Sequence, residues 1–306
     1  MTSVAVLGAG GVGGFVAAAL ARADADVRVV ARPETAATLH DSGLTVSSRA
    51  LEADFSVRPA VLTELDDTVD VVVVATKTTG LADATQRIRA VPGLVVPLLN
   101  GLDHLALLRE RFGADRVVAA VIRIESDRPS AGVIVQTSPA ARVDMAGARP
   151  EVQALAELLR EAGLDARTGG SEAQVMWSKL ARLCPLALTT SASDRPLGFV
   201  RSDPRWRSAL QGAVTETVAV ANADGASLQA QDTMAELDAA HAELGSSMQR
   251  DIAAGRATEL DAIAGAVLRA GQRHGLRCPT VQWLGERVAV RATTGRRREY
   301  GRTEDR

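Results

Sequence analysis

Cysteine is scarce in this chain: its 306 residues contain two, Cys184 and Cys278. They stand far apart and form no C-x-x-C or Cys/His ligand spacing, so no disulfide framework and no metal site is expected. Both are expected to be buried free thiols in a reducing cytoplasm. Aromatic residues make up 3% of the chain, too few for a base-stacking surface. Charge of neither sign prevails: 35 Lys+Arg against 37 Asp+Glu leaves a net charge of -2, which argues against nucleic acid or an anionic membrane as a partner. No apolar run reaches the roughly 20 residues that span a bilayer. An apolar segment begins almost at the first residue, leaving no room for a secretory leader. These absences predict a soluble, cytoplasmic protein of ordinary globular composition, long enough for two domains.

What is present is concentrated at the start. Val4-Ala5-Val6-Leu7 runs into Gly8-Ala9-Gly10-Gly11-Val12-Gly13, a G-x-G-x-x-G spacing, and a small-residue helical pattern follows at once. A glycine motif alone is weak, but strand, glycine turn and helix together are fairly specific for a dinucleotide phosphate cradle. Gly8 permits the tight turn, Gly10 lets backbone approach a pyrophosphate, and Gly13 lets the helix pack on the strand. The helix N-terminus offers N–H groups and a positive dipole end to the anion.

A second apolar run, 27–31, ends at Arg32-Pro33. No carboxylate stands there to bind a ribose 2′-OH, whereas a guanidinium fork suits a 2′-phosphate. A solvated surface arginine would still leave the missing acid unexplained. NADP(H) is therefore expected over NAD(H).

Short apolar runs at 70–75 and 93–99 continue the βαβ alternation of a parallel sheet. Further strands are expected at 117–124 and 133–137, a helix at 150–162, and a short strand near Ala166 to end the sheet. Beyond Gly169-Gly170 strand-like runs vanish, and amphipathic helices take over. Leu260, Ile263, Ala264, Val267 and Leu268 trace one helix face. The expected architecture is an α/β Rossmann-type dinucleotide-binding domain over 1–169 and an all-α domain over 170–293. The polar stretch 294–306, with Arg296-Arg297-Arg298, reads as a disordered tail.

Ligands of open parallel sheets bind at the carboxyl ends of the strands. Thr76-Lys77-Thr78 and Asn100-Gly101 occupy two such ends. Lys77 reads equally as a surface lysine; an amide at Asn100 suits a hydrogen bond to a nicotinamide or a substrate oxygen, set against a simple Asn-Gly turn. In the helical half, Lys179 lies among large apolar residues in Met176-Trp177-Ser178-Lys179-Leu180. There it is either a desolvated proton donor or a lysine that snorkels to solvent. Thr258 and Asp261 have capping-box spacing, which makes Glu259 a first-turn acid and is sufficient as a structural role.

Taken together, the glycine motif, Arg32, Lys77, Asn100-Gly101, Trp177-Ser178-Lys179-Leu180, Ser246-Ser247-Met248 and Thr258-Glu259-Leu260-Asp261 resemble the ketopantoate reductase (2-dehydropantoate 2-reductase) family over roughly residues 2 to 290. The resemblance implies NADPH-dependent reduction of a 2-oxo acid in a cleft between two domains, with ketopantoate going to pantoate in pantothenate biosynthesis. It implies Lys179 as general acid with Glu259 as its catalytic companion, Asn100 near nicotinamide and substrate, Ser247 and Glu259 as substrate-binding groups, and Lys77 beside the cofactor. A charged donor at the carbonyl oxygen is worth most in the transition state, where negative charge builds.

The chain departs from the family pattern where two asparagines usually follow the lysine at four-residue steps: Leu183 and Ala187 stand there. Residues four apart share a helix face, so Lys179, Leu183 and Ala187 would line one side of the site. Pro185 is expected to kink or break this segment. Losing amide donors weakens discrimination for a polar substrate. Open alternatives are a more apolar 2-oxo acid or imine on the same fold, and a non-catalytic NADP(H) sensor. Monomer and homodimer both remain open.

Overall fold

Runs of valine dictate the first half of the molecule. β-Branched side chains suit strands buried on both faces, and four such runs pair as the heart of a parallel sheet. A computed structural model describes the chain from residue 2 to residue 303, with side chains described to residue 294. Its strands in chain order are β1 (Val4–Leu7), β2 (Val27–Val30), β3 (Leu44–Ser48), β4 (Ala53–Val57), β5 (Ala60–Leu62), β6 (Val71–Val74), β7 (Leu94–Pro97), β8 (Ala120–Arg123), β9 (Ser126–Ser130), β10 (Val133–Gln136), β11 (Arg142–Met145) and β12 (Asp165–Thr168). The helices of this half are α1 (Gly11–Arg22), α2 (Pro33–Ser42), α3 (Leu81–Thr85), α4 (His104–Phe112) and α5 (Pro150–Glu161).

The parallel sheet has the order β5-β2-β1-β6-β7. It does not extend through the later strands as the apolar runs suggest. Strands β8 and β12 instead flank β11 in a separate sheet, and β10 joins β4-β3-β10-β9. A single parallel bridge, Val95↔Val117, is what remains of the expected continuation. Helix α1 is buried from Gly13 to Leu20 because it has neighbours on more than one side. Val4, Val6 and Val73 of the parallel sheet belong to the same core as Leu44 and Ile134 of the second sheet. A helix apolar all round is a buried helix.

The chain divides into two compact units between Val175 and Met176, a few residues beyond the expected 169/170. The short segment Asn100–Leu102 belongs with the second unit, although it directly follows the β7 region. The second unit is helical: α6 (Glu172–Ser193), α7 (Leu197–Ser202), α8 (Pro204–Ala223), α9 (Ala230–Ala239), α10 (Ser247–Ala253), α11 (Ala266–Arg273) and α12 (Pro279–Thr303). Helix α12 takes in residues 294–303 of the stretch expected to be a disordered tail; no proline follows Pro279 to stop it, and residues 304–306 lie outside the described residues.

Helix α6 is continuous through Pro185, contrary to the expected break. The missing N–H costs a hydrogen bond, but residues 184–192 are all buried, and packing outweighs the local penalty. Leu186 of α6 packs in one core with Leu197, Leu210, Val214 and Leu237. Both cysteines are free and buried. Burial pushes the Cys184 thiol up to about 12 and raises that of Cys278 as well. Among the described residues no helix is long and apolar enough to cross a membrane, and no cluster of His, Cys, Asp or Glu is fit to hold a metal ion.

Candidate active site

The glycine loop follows β1, and backbone hydrogen bonds tie it to both neighbouring strands. Gly8 N–H donates to Val30 O at 2.9 Å, and Ala75 N–H to Leu7 O at 2.9 Å. A side chain on Gly13 would run into the Gly8 carbonyl oxygen, so helix and loop can close only on glycine. Around Gly10 the reverse holds: a Cβ there would meet no heavy atom within 4 Å. Helix α1 has no side-chain cap and no acid in its first turn. Its first N–H groups are therefore left without a side-chain acceptor, with the positive end of the helix dipole behind them. The Thr76 hydroxyl, at the end of β6 behind the loop, is buried without a hydrogen-bond partner. Open space, uncapped N–H donors and an orphaned hydroxyl fit a polar, anionic ligand such as a dinucleotide.

Gly11, the third glycine of the loop, is expected from sequence only as part of the cofactor-binding segment. Its Cα faces β9, and a Cβ there would stand 2.7 Å from Ser126 O. Ser126 Oγ donates to Gly11 O at 2.8 Å. A glycine beyond those the motif requires was the signal that another backbone passes close by.

Arg32 is exposed, in extended backbone just before Pro33 opens α2. It lies two residues past Val30, the acceptor of the Gly8 N–H. No carboxylate pairs with it among the described residues. Lys77 is also exposed, just ahead of a 3-10 turn at Thr78–Gly80.

In the second unit, Asn100 Nδ2 donates to Glu259 Oε2 at 2.9 Å, linking residues 159 apart in sequence. A carboxylate only accepts, so this bond orients the amide with its NH2 toward Glu259. Gly101 makes the approach possible. It has φ +86°, and a Cβ on it would collide with Ala262 O. Both groups of the pair are half-buried.

Glu259 does not sit inside a capping box. The helical turn begins at Leu260, and Glu259 O accepts its first intrahelical bond, from Ile263 N–H at 3.0 Å. The Asp261 carboxylate is turned forward to Arg269, with Nη1–Oδ1 at 2.8 Å, because an exposed guanidinium is a stronger partner than the Thr258 N–H. Residues Asp261–Gly265 form a π-helical turn, a feature frequent at functional sites.

Lys179 is half-buried on α6, two residues past Trp177. The Trp177 indole is 1% exposed and donates Nε1–H to Asp224 Oδ2 at 2.9 Å. Burial pushes the Asp224 carboxyl up, but hydrogen bonds from His274 and Trp177 and the adjacent Arg273 outweigh it, leaving it below the usual carboxylate range. Continuing from Lys179, the same face of α6 carries half-buried Leu183, buried Ala187 and buried Thr190. At the far end, roughly 17 Å along the axis, Thr190 Oγ1 donates to Ser246 Oγ at 3.1 Å. Ser246 is the buried N-cap of α10, accepting from Gln249 N–H at 3.1 Å, whereas Ser247 is exposed. The second unit thus joins Asn100 to Glu259, and joins the α6 face to the Ser246-Ser247 corner. The loop, Arg32 and Lys77 belong to the first unit.

Residues 4–147 match the family described as Ketopantoate reductase PanE/ApbA, and residues 173–292 match its C-terminal counterpart. The chain is 32% identical over 288 residues to the 2-dehydropantoate 2-reductase of Caulobacter vibrioides, covering 91% of this chain and 95% of that one. The crystal structure of 2-dehydropantoate 2-reductase from Geobacter metallireducens superposes with a TM-score of 0.85 at 25% identity, covering 94% of this chain and 99% of that one. D-mandelate dehydrogenase, solved with NADH and anilino(oxo)acetate, has the same fold at a TM-score of 0.86 and 20% identity, covering 96% and 99%.

Proposed function

The chain belongs to the ketopantoate reductase family PanE/ApbA, and from that membership we propose that it is an oxidoreductase that reduces a 2-oxo acid to the 2-hydroxy acid with NADPH. Ketopantoate is the leading substrate. The observation that carries this reading is the hydrogen bond between Asn100 and Glu259. It joins the two polar residues that the family resemblance assigns to substrate from opposite ends of the sequence.

The roles follow from the chemistry of each group. The glycine loop, Gly8 to Gly13, receives the pyrophosphate, and Arg32 pairs with the 2′-phosphate. Lys77 adds positive charge beside the cofactor. The bound nicotinamide supplies the hydride that reduces C2. The Lys179 ammonium gives its proton to the carbonyl oxygen as negative charge develops there. Glu259 orients Asn100 and, with Ser247, binds polar groups of the substrate.

A second reading changes only the acceptor. Leu183 and Ala187 make the α6 face beyond Lys179 apolar. An apolar wall rejects a hydroxylated substrate weakly, by about 10²-fold at most, and offers it no donor. This favours an apolar 2-oxo acid, or an imine derived from one. The test is NADPH oxidation followed by absorbance across a panel of 2-oxo acids, with the Leu183→Asn variant alongside. Efficient turnover of ketopantoate supports the first reading. Turnover confined to apolar acids, with Leu183→Asn shifting preference toward ketopantoate, supports the second. Cofactor binding without turnover of any acceptor refutes both in favour of a sensor.

A further inference from the structure

Strand β9 is polar and, apart from half-buried Ser126, exposed, yet it presses on the glycine loop. Its pairing with β10 is irregular. Asp127 pairs with Val135 and Ser130 with Val133, so Arg128 and Pro129 together oppose Ile134 alone. This is a β-bulge, a device that re-aims a side chain and is over-represented beside active sites. The side chain re-aimed here is Arg128. Its Nη1 lies 3.4 Å from the carbonyl oxygen of Ala9, the residue between the first two glycines of the loop.

Arg128 has no carboxylate partner among the described residues. The nearest acid in sequence, Asp127, accepts the Arg128 backbone N–H at 2.8 Å through Oδ1. A guanidinium carries five N–H donors, and one long bond to a carbonyl leaves most of that capacity unused at the rim of the cradle. The other donors there are the uncapped N–H groups of α1, which are neutral. A dianionic pyrophosphate on those amides alone would lack a counter-charge.

We propose that Arg128 is a second cationic clamp of the cofactor site, delivered by the bulge in β9 and directed at the pyrophosphate. It acts independently of Arg32, which faces the 2′-phosphate. This rests on the reading that the loop holds a nicotinamide dinucleotide. The two arginines then divide the work. Arg32 tells NADPH from NADH, while Arg128 strengthens the binding of both, because both carry the pyrophosphate. Ser126, bonded to Gly11 O, is the positioning residue that keeps the bulged strand against the loop.

The experiment is calorimetric titration of Arg128→Gln and Arg128→Lys with NADPH and with NADH, at two salt concentrations. Arg128→Gln is expected to raise both dissociation constants by a similar factor, about tenfold, and to flatten their salt dependence. Arg128→Lys, which keeps the charge but not the fork, is expected to fall between. The ligand-free melting temperature should stay unchanged, since Arg128 is exposed. Unchanged affinity for both cofactors in both variants would overturn the proposal. So would a loss confined to NADPH, which would place Arg128 on the 2′-phosphate. Failure of the unaltered protein to bind either cofactor would instead refute the dinucleotide reading itself.

Discussion

The glycine cradle of the first unit and the catalytic group proposed for the second are built on opposite plans. The cradle is made of backbone: amide N–H groups, a helix end and the absence of side chains between Gly8 and Gly13, all within one short stretch. The proposed catalytic group is made of side chains drawn from Asn100, α6 and Glu259, and the bond from Asn100 to Glu259 spans 159 residues. The difference teaches where each site is vulnerable. A cradle fails when something is added to it, because a Cβ at Gly13 collides with the loop. The proposed catalytic group would fail when something is removed, because each side chain is assigned a separate task.

That contrast can be broken or sharpened by substitution. The largest effect is expected from Lys179→Ala: turnover falls about 10³-fold, the usual value of a general acid, while the NADPH dissociation constant stays within about twofold. A parallel loss of cofactor affinity, read by titration, would show that the two plans are not separable. Next is Arg32→Ala, expected to weaken NADPH binding by about 10- to 100-fold through loss of a charge-assisted bidentate pair. NADH affinity should not move, and equal losses for both would refute the 2′-phosphate assignment. The smallest effect is on stability. Asp224→Asn is expected to cost about 1–2 kcal/mol at neutral pH, because Trp177 and His274 lose a charged acceptor. The folded carboxyl is depressed. Its contribution is therefore complete above the unfolded value of about 3.9 and lost as pH falls through the folded one. Denaturant melts of the two proteins should converge in acid, and a gap that persists there would contradict the ionic role.

The same contrast explains what could be read from sequence. The cradle was legible because its chemistry is a spacing, and β1, β2, β6 and β7 because buried parallel strands are runs of valine. Strand β9 was not: Ser-Asp-Arg-Pro-Ser has no apolar signal, and Gly11, read only as part of the phosphate loop, was a trace of it that spacing does not decode. The split into three sheets was hidden because pairing is a long-range choice that a strand's own composition does not record. In the second unit, the four-residue steps from Lys179 marked one helix face. No local rule foretold that Pro185 would be carried through by buried neighbours. Nor did any foretell that Arg269, eight residues on, would take Asp261 away from Thr258. Asn100 was marked by its place at a strand's carboxyl end, whereas Glu259 suggested function only through family likeness, since their meeting is tertiary.

The two cysteines have a practical corollary. A thiol held near 12, as Cys184 is, has essentially no thiolate at neutral pH, and it is the thiolate that reacts. Cys278 is buried and shifted the same way. The native chain is thus a silent background for sulfur chemistry. A single cysteine placed at exposed Ser247 can carry a fluorescent or spin reporter at the start of α10, beside the proposed substrate corner, with both native thiols left in place.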